Sequence, residues 1–275
     1  MKYSLLLLSA VLLLSCRKTE NKLVQKEELP SQNIALVIDK SLSMYSIDFK
    51  PNRSEAVLNV LKNVISSKKD NQAFSIVVFA GDSYLICPLT KNKQELLTAI
   101  DKATKQITYL RPLKLGTSFS HALMNALYSL KGRKGQNSIL FFSDGNTTID
   151  SYPINIPINE AVSNHIPINS IVITPKDFAV SPVRLDLNNN LGFEKIKAIH
   201  VDTIKAKQIP FKTGGIFKIF YTQKDFDQFD LKKIIDNTNY QLPANENPVK
   251  TDPKDIINIY LEIEKRNDSI TKLYP

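Results

Sequence analysis

Asn33-Ile34-Ala35-Leu36-Val37-Ile38-Asp39-Lys40-Ser41-Leu42-Ser43 is the stretch whose reading decides the fold. The run Ile34 to Ile38 is continuously apolar and carries no alternation, which suits a central strand of a parallel sheet covered on both faces. Asp39, Ser41 and Ser43 then fall where that strand ends. Open α/β sheets bind ligands in the crevice beyond the carboxyl ends of their strands, so these oxygens stand where a ligand site is expected. Asp and Ser in a loop also make turns and caps, and the D-x-S-x-S pattern alone is a weak signal.

Working outward, similar apolar runs recur at Phe74 to Ala80, Ser138 to Ser143 and Ile168 to Thr174. Helical periods lie between them. Val57, Val60, Leu61, Val64 and Ile65 share one face after Asn52-Arg53-Ser54-Glu55, which has the spacing of a capping box. Phe119, Ala122, Leu123, Ala126, Leu127 and Leu130 share another, and Leu96, Leu97 and Ile100 mark a shorter helix. Tyr84 to Leu89 follows the second strand closely and reads as an antiparallel edge strand. The alternation predicts an α/β fold, doubly wound, with a mostly parallel central sheet, one antiparallel edge strand and helices on both faces. Residues 175–192 read as an insertion or long loop, Ile216 to Tyr221 as a last strand and Leu231 to Ile235 as a last helix. The main domain is therefore expected over 33–241. Residues 242–275 are expected to be a linker and a terminal amphipathic helix built on Ile256, Ile257, Tyr260, Leu261 and Ile263, docked on the domain or offered to a partner.

The amino terminus predicts a compartment. Lys2, the almost purely apolar run Leu5 to Leu14 and Leu14-Ser15-Cys16 have the shape of a secretion signal, and a run of ten residues is too short to span a bilayer as helix. Leu13-Leu14-Ser15-Cys16 resembles the bacterial lipoprotein box, with Leu14 where a small residue is preferred. That implies a signal peptide over 1–15, lipidation of Cys16 and a polar tether over 16–32; the other reading is a plain signal peptide with an incidental cysteine. The remaining cysteine, Cys87, lies among apolar residues and is expected to be a buried, unreactive thiol. The net charge of +9 comes from scattered Lys and Arg with no basic run interleaved with aromatics, so nucleic acid is not an expected partner. A solvated basic surface accounts for it, and an anionic membrane beneath a lipid anchor would suit it too.

Gly116-Thr117-Ser118 before a helix and Ser143-Asp144-Gly145 at a strand end complete the oxygen-rich set begun by Asp39. Together these motifs resemble the von Willebrand factor A family, whose metal-ion-dependent adhesion site uses D-x-S-x-S, a Thr from a second loop and an Asp from a third. The resemblance runs from about Asn33 to Ile235 and implies a Rossmann-like fold with Asp39, Ser41, Ser43, Thr117 and Asp144 as the metal site. Asp48-Phe49-Lys50-Pro51-Asn52-Arg53, Glu55-Ala56, Phe79-Ala80-Gly81 and Cys87-Pro88-Leu89-Thr90 resemble more narrowly the Bat-type aerotolerance proteins of bacteria. Those proteins are usually held by transmembrane helices, and the lipoprotein leader departs from that pattern. An all-oxygen set suits a hard cation, Mg²⁺ first and Mn²⁺ or Ca²⁺ as substitutes. In the family the hydroxyls bind directly, the carboxylates act largely through water, and a partner's Asp or Glu fills the open position.

Enzyme readings lack their residues. A haloacid-dehalogenase-type site needs a carboxylate where Ser41 stands, a dinucleotide site needs a Gly-rich first turn, and His121, His165 and His200 are far apart. His121 is expected on a polar helix face. The expectation is an exported, lipid-anchored module of the bacterial cell envelope, not an enzyme, that captures a partner protein through its metal, in envelope stress tolerance or complex assembly. The alternative is a structural envelope lipoprotein whose interactions do not use the metal. Cys16→Ala should leave a precursor that is uncleaved or no longer partitions into detergent. Continued processing at the same site with membrane retention would remove the lipoprotein assignment.

Overall fold

The computed structural model describes residues 30–105, 113–185, 190–198, 203–237 and 251–273. The stretches assigned to the signal peptide, Cys16 and nearly all of the tether lie outside these residues.

Strand β1 (Gln32–Asp39) is buried at every position, as an apolar run without alternation requires. It is flanked by parallel β2 (Gln72–Phe79) and parallel β4 (Gln136–Ser143). Beyond β2 lies antiparallel β3 (Ser83–Thr90), and beyond β4 lie parallel β5 (Ile168–Ile173) and β8 (Phe217–Phe220). The order β3-β2-β1-β4-β5-β8 is the mostly parallel sheet with one antiparallel edge strand expected from the sequence.

Successive residues of β1 serve opposite faces. Ile34, Leu36 and Ile38 enter a core with helices α1 (Arg53–Ser66) and α2 (Lys93–Lys105) and the short C-terminal helices α6 (Gln223–Asp227) and α7 (Lys232–Ile235). Ala35 and Val37 enter a second core with α3 (Phe119–Leu130), α4 (Asn155–Ser163), α5 (Thr203–Thr213) and α8 (Pro253–Leu273). On that side Phe119 packs edge-on to Phe141 with centroids 4.9 Å apart, and Phe141 stacks on Phe79. Asn52 caps α1 where the spacing placed a cap, accepting from the Glu55 N–H, while the Glu55 carboxylate accepts from the Asn52 side-chain amide rather than from its backbone N–H, each at 2.9 Å. Cys87 is buried in β3, and burial pushes its thiol up to about 11.

Helices α5 and α6 have no counterpart in the sequence reading, and three further segments differ from it or go beyond it. The stretch read as an insertion or long loop, 175–192, holds β6 (Phe178–Leu185) and the start of β7 (Leu191–Lys197), which pair antiparallel. Helix α4 has a core face of Ile158, Ala161 and Val162 that Pro157 disguises, although Pro is tolerated in a first turn. The third is α8, whose apolar stripe is docked. Ile256, Ile259, Tyr260 and Ile263 are buried against α3 and α4, and Asn267 exchanges amide hydrogen bonds with Asn125 at 3.0 and 3.2 Å. The Asn267 Oδ1 also accepts from the Leu85 N–H of edge strand β3 at 2.8 Å.

Ile263 is fully buried whereas Leu261, two residues earlier, is 57% exposed. Ile263→Ala should therefore destabilise the domain by about 2–4 kcal/mol and Leu261→Ala by less than about 0.5 kcal/mol, measured by urea denaturation. Equal small effects would mean that α8 does not pack as described.

Candidate metal centre

At the carboxyl end of β1 the side chain of Asp39 is fully buried. Its Oδ1 accepts from the Ser41 N–H at 2.8 Å and its Oδ2 from the Ser143 hydroxyl at 2.7 Å. The first bond folds the chain back on itself as an Asx-type turn, and Ser43 follows inside a 3-10 turn, Leu42–Tyr45. Ser41 Oγ and Ser43 Oγ come to 3.2 Å of each other. Neighbouring oxygens on an Mg²⁺ octahedron with bonds of about 2.0–2.1 Å lie roughly 3 Å apart, so this spacing fits two adjacent ligand positions.

The second and third loops are tied together. Thr117 donates its N–H to Thr148 Oγ1 at 2.8 Å, and its carbonyl accepts from the Thr148 N–H, the Ile149 N–H and the Thr147 hydroxyl. Gly116, at φ +103°, makes the turn into Thr117 where a Cβ would meet Ile149 at 2.3 Å. Asp144 is 3% exposed and its Oδ1 accepts from the Asn146 N–H at 3.1 Å. All five residues expected from the sequence thus stand on loops at the carboxyl ends of β1 and β4 and in the turn before α3. Among the described residues no group of three or more His, Cys, Asp or Glu is placed to hold a metal, and the five residues here offer three hydroxyls and two carboxylates.

Sequence reading missed the groups that support this set. Arg53, 4% exposed at the start of α1, forms a bidentate pair with Asp48 at 2.8 and 2.9 Å and lies 3.5 Å from Asp144. Lys40, also buried, donates to Ser54 Oγ at 2.8 Å and sits over the Tyr45 ring; burial lowers its ammonium to about 8. Ser143 is the third. Arg53 was visible only as part of the Asp48 to Arg53 stretch, because nothing in its spacing shows that it turns towards Asp144. His121 departs from expectation: it is buried rather than on a polar face, with Nδ1 2.7 Å from the Ser83 hydroxyl and its ring stacked on Tyr152. Burial lowers its pKa, so it belongs to the packing between α3 and β3.

With this geometry, the similarities to known proteins can be placed. Residues 34–146 match the family model of the von Willebrand factor type A domain. An uncharacterized protein of Borreliella burgdorferi is 26% identical over 234 residues, covering 83% of this chain; the chain spans 64% of that protein's length. The fold is similar to that of BatB from Bacteroides thetaiotaomicron, with a TM-score of 0.58 at 19% identity over 74% of this chain and 98% of that one. An aerotolerance-related membrane protein from Bacteroides fragilis gives the same values. A third similar fold is proximal thread matrix protein 1 of the mussel byssus, solved with zinc in its MIDAS motif, with a TM-score of 0.51 at 15% identity over 75% of this chain and 47% of that one.

Burial, reinforced by the charge of Asp144 and opposed by hydrogen bonds from Ser41 and Ser143, raises the Asp39 carboxyl to about 7. A carboxyl raised on folding makes the folded state the better proton binder. Its contribution to metal-free stability is therefore fully present below the unfolded pKa and lost as pH climbs through about 7. In chelator, the thermal midpoint of the wild type should fall more steeply from about pH 5 to pH 8 than that of Asp39→Asn. Parallel curves for the two proteins would show that Asp39 does not titrate in this range.

Proposed function

We propose that this chain is an exported, lipid-anchored binding module, not an enzyme, that holds Mg²⁺ at Asp39, Ser41, Ser43, Thr117 and Asp144 and captures a partner protein through that partner's Asp or Glu. The observation that carries the reading is the pairing of Ser41 and Ser43 hydroxyls at ligand spacing beside the buried carboxylate of Asp39, which forms no ion pair among the described residues. Mn²⁺ or Ca²⁺ would serve the same oxygens.

When bound, the cation supplies a Lewis-acidic charge to which an incoming carboxylate can bind. The chain's own residues set how strong that attraction is. Ser41, Ser43 and Thr117 offer neutral oxygens, which leave the cation's charge largely uncancelled. Asp39 is held by Ser41 and Ser143, and so is oriented to accept hydrogen bonds from water rather than to swing freely. Asp144 is held from behind by Arg53, which offsets part of its charge. An acidic partner is thereby preferred over a neutral one, because it alone returns negative charge to the centre.

The compartment rests on the amino-terminal sequence: a signal peptide over 1–15, Cys16 as the lipidated first residue of the mature chain, and residence in the bacterial cell envelope. The Bacteroides fragilis protein of similar fold is described as a membrane protein, and among the described residues here no helix is long and apolar enough to cross a membrane. Envelope stress tolerance or complex assembly is the biological setting in which such a module would act.

Mn²⁺ binding read by electron paramagnetic resonance, and capture of partners from membrane extract in Mg²⁺ against chelator, test the site directly. Thr117→Ala should weaken both by about tenfold or more while leaving the chelated thermal midpoint near wild type. If wild-type capture is unchanged by chelator, the structural lipoprotein that does not use the metal replaces this reading.

A further inference from the structure

The pole opposite the metal centre carries a concentration of positive charge around the point where the chain enters the domain. Pro30 and Ser31 are clamped between two turns: the Pro30 carbonyl accepts from the Asn71 amide at 2.9 Å, and the Ser31 carbonyl accepts from the Gln136 N–H at 2.8 Å. Next to this entry, the Asn33 amide donates to the Lys134 carbonyl at 2.9 Å. On one side stand Lys68, Lys91 and Lys93; on the other, Lys131, Arg133 and Lys134. All but Lys68 are exposed. Lys93 donates to the Ser66 carbonyl at the end of α1, which brings the turn after β3 beside the turn after α1. Burial first, with the charges of Lys93 and Lys91 adding and Asp70 opposing, holds the Lys68 ammonium below its usual range, as expected for cations gathered together. The acidic groups nearby are Asp70, Glu95 and Asp236 on one side, with Asp236 already paired with Lys69 at 2.8 Å, and Glu160, Glu264 and Asp268 beside Lys131 and Arg133 on the other, where Lys131 also lies over the Tyr260 ring.

Helix ends account for part of this charge. Lys68, Lys131, Arg133 and Lys134 follow the carboxyl ends of α1 and α3, where the macrodipole favours cations. Lys91 and Lys93 stand at the amino end of α2, where it disfavours them. Lys93 is accounted for in part by its bond to the Ser66 carbonyl, whereas Lys91 makes no hydrogen bond or ion pair among the described residues, and an external anion would account for it and for the exposed cluster around it.

We propose that this basic pole docks on an anionic phospholipid surface, holding the domain upright on its membrane with the metal centre facing away. The inference rests on the lipid anchor proposed above for the identity of the surface, while the placement of the charge stands on the structure. The segment 17–29 between Cys16 and Pro30 can span at most roughly 45 Å, so an anchored domain is confined near the headgroups. Each basic residue at an anionic surface then adds about fivefold to the docked population. Strand β1, of eight residues, sets the metal centre roughly 23 Å from this surface.

The test uses the full-length lipoprotein on vesicles with a headgroup-attached nitroxide quencher, comparing pure phosphatidylcholine with an equal mixture of phosphatidylcholine and phosphatidylglycerol. A fluorophore is placed either at Gln94→Cys on the basic pole or at Leu115→Cys beside the metal centre; buried Cys87, with its raised thiol, stays unlabelled. On the anionic mixture, position 94 should be quenched at least fivefold more than position 115, and the difference should vanish on pure phosphatidylcholine and in high salt. Combined Lys91→Glu, Lys93→Glu, Arg133→Glu and Lys134→Glu should abolish it, and the milder set of Gln substitutions should halve it or more while preserving the thermal midpoint. Equal quenching at the two positions on the anionic mixture, or quenching indifferent to both sets, overturns the inference. Should Cys16 carry no lipid, the protein washes off phosphatidylcholine but is still expected to sediment with the anionic vesicles at low salt through the same residues. Loss of the first alone removes the anchor, whereas loss of both removes the docking pole.

Discussion

The buried carboxylate of Asp39 is the constraint around which this fold is arranged. A charged group taken out of water is destabilising unless something replaces its hydration, and the replacement here is partial: one backbone N–H and the Ser143 hydroxyl. Ser143 comes from β4, so the bond that satisfies Asp39 also fixes the register of the two central strands at their carboxyl ends. What remains unsatisfied is the charge itself, with Asp144 adding repulsion rather than relief. The fold tolerates this because β1 is buried on both faces by two separate cores, which hold the strand in place whatever its last residue carries.

The nearby cations do not simply neutralise it. Arg53 is shared between Asp48 and Asp144, and its bidentate geometry goes to Asp48. Lys40 is directed to Ser54 and the Tyr45 ring. Both therefore stabilise the loops that carry the oxygens, and among the described residues neither forms an ion pair with Asp39. A site built only for stability would place one of these cations on Asp39. The arrangement instead balances the loop charges at their backs, which is the physical sense in which it suits a cation arriving from solvent.

Much of this was legible in the sequence because it depends on patterns that local chemistry enforces. A strand covered on both faces must be continuously apolar, and Ile34 to Ile38 is; an edge strand tolerates Tyr84 and Pro88, and β3 holds both. That Asp39, Ser41, Ser43, Thr117 and Asp144 stand on loops at one pole was legible because strand ends carry short contiguous motifs. What escaped was whatever depends on distant partners. Arg53 reaches Asp144 across the fold, His121 is buried by β3 and Tyr152, and the hairpin of β6 and β7 has faces too exposed to show alternation against a core. It pairs with the remainder at few points, among them Ile47 N–H to the Val180 carbonyl, so composition around Pro175 to Gly192 reads as loop.

Topology then dictates where the two charged ends of the molecule fall. In a parallel sheet every strand ends at one pole, so the loops after β1 and β4 and the turn before α3 converge there. Each returning helix ends at the other pole, and its final carbonyls favour cations. The antiparallel β3 is the exception that matters. It carries the chain back down to the entry pole, so that Lys91 and Lys93 join the basic turns after α1 and α3 instead of standing at the oxygen-rich end. Had the edge strand been parallel, those two lysines would lie beside Asp39 and Asp144, where their charge would compete with a bound cation. One reversal of strand direction thus keeps Lys91 and Lys93 away from the oxygen-rich end and collects them where the chain enters the domain.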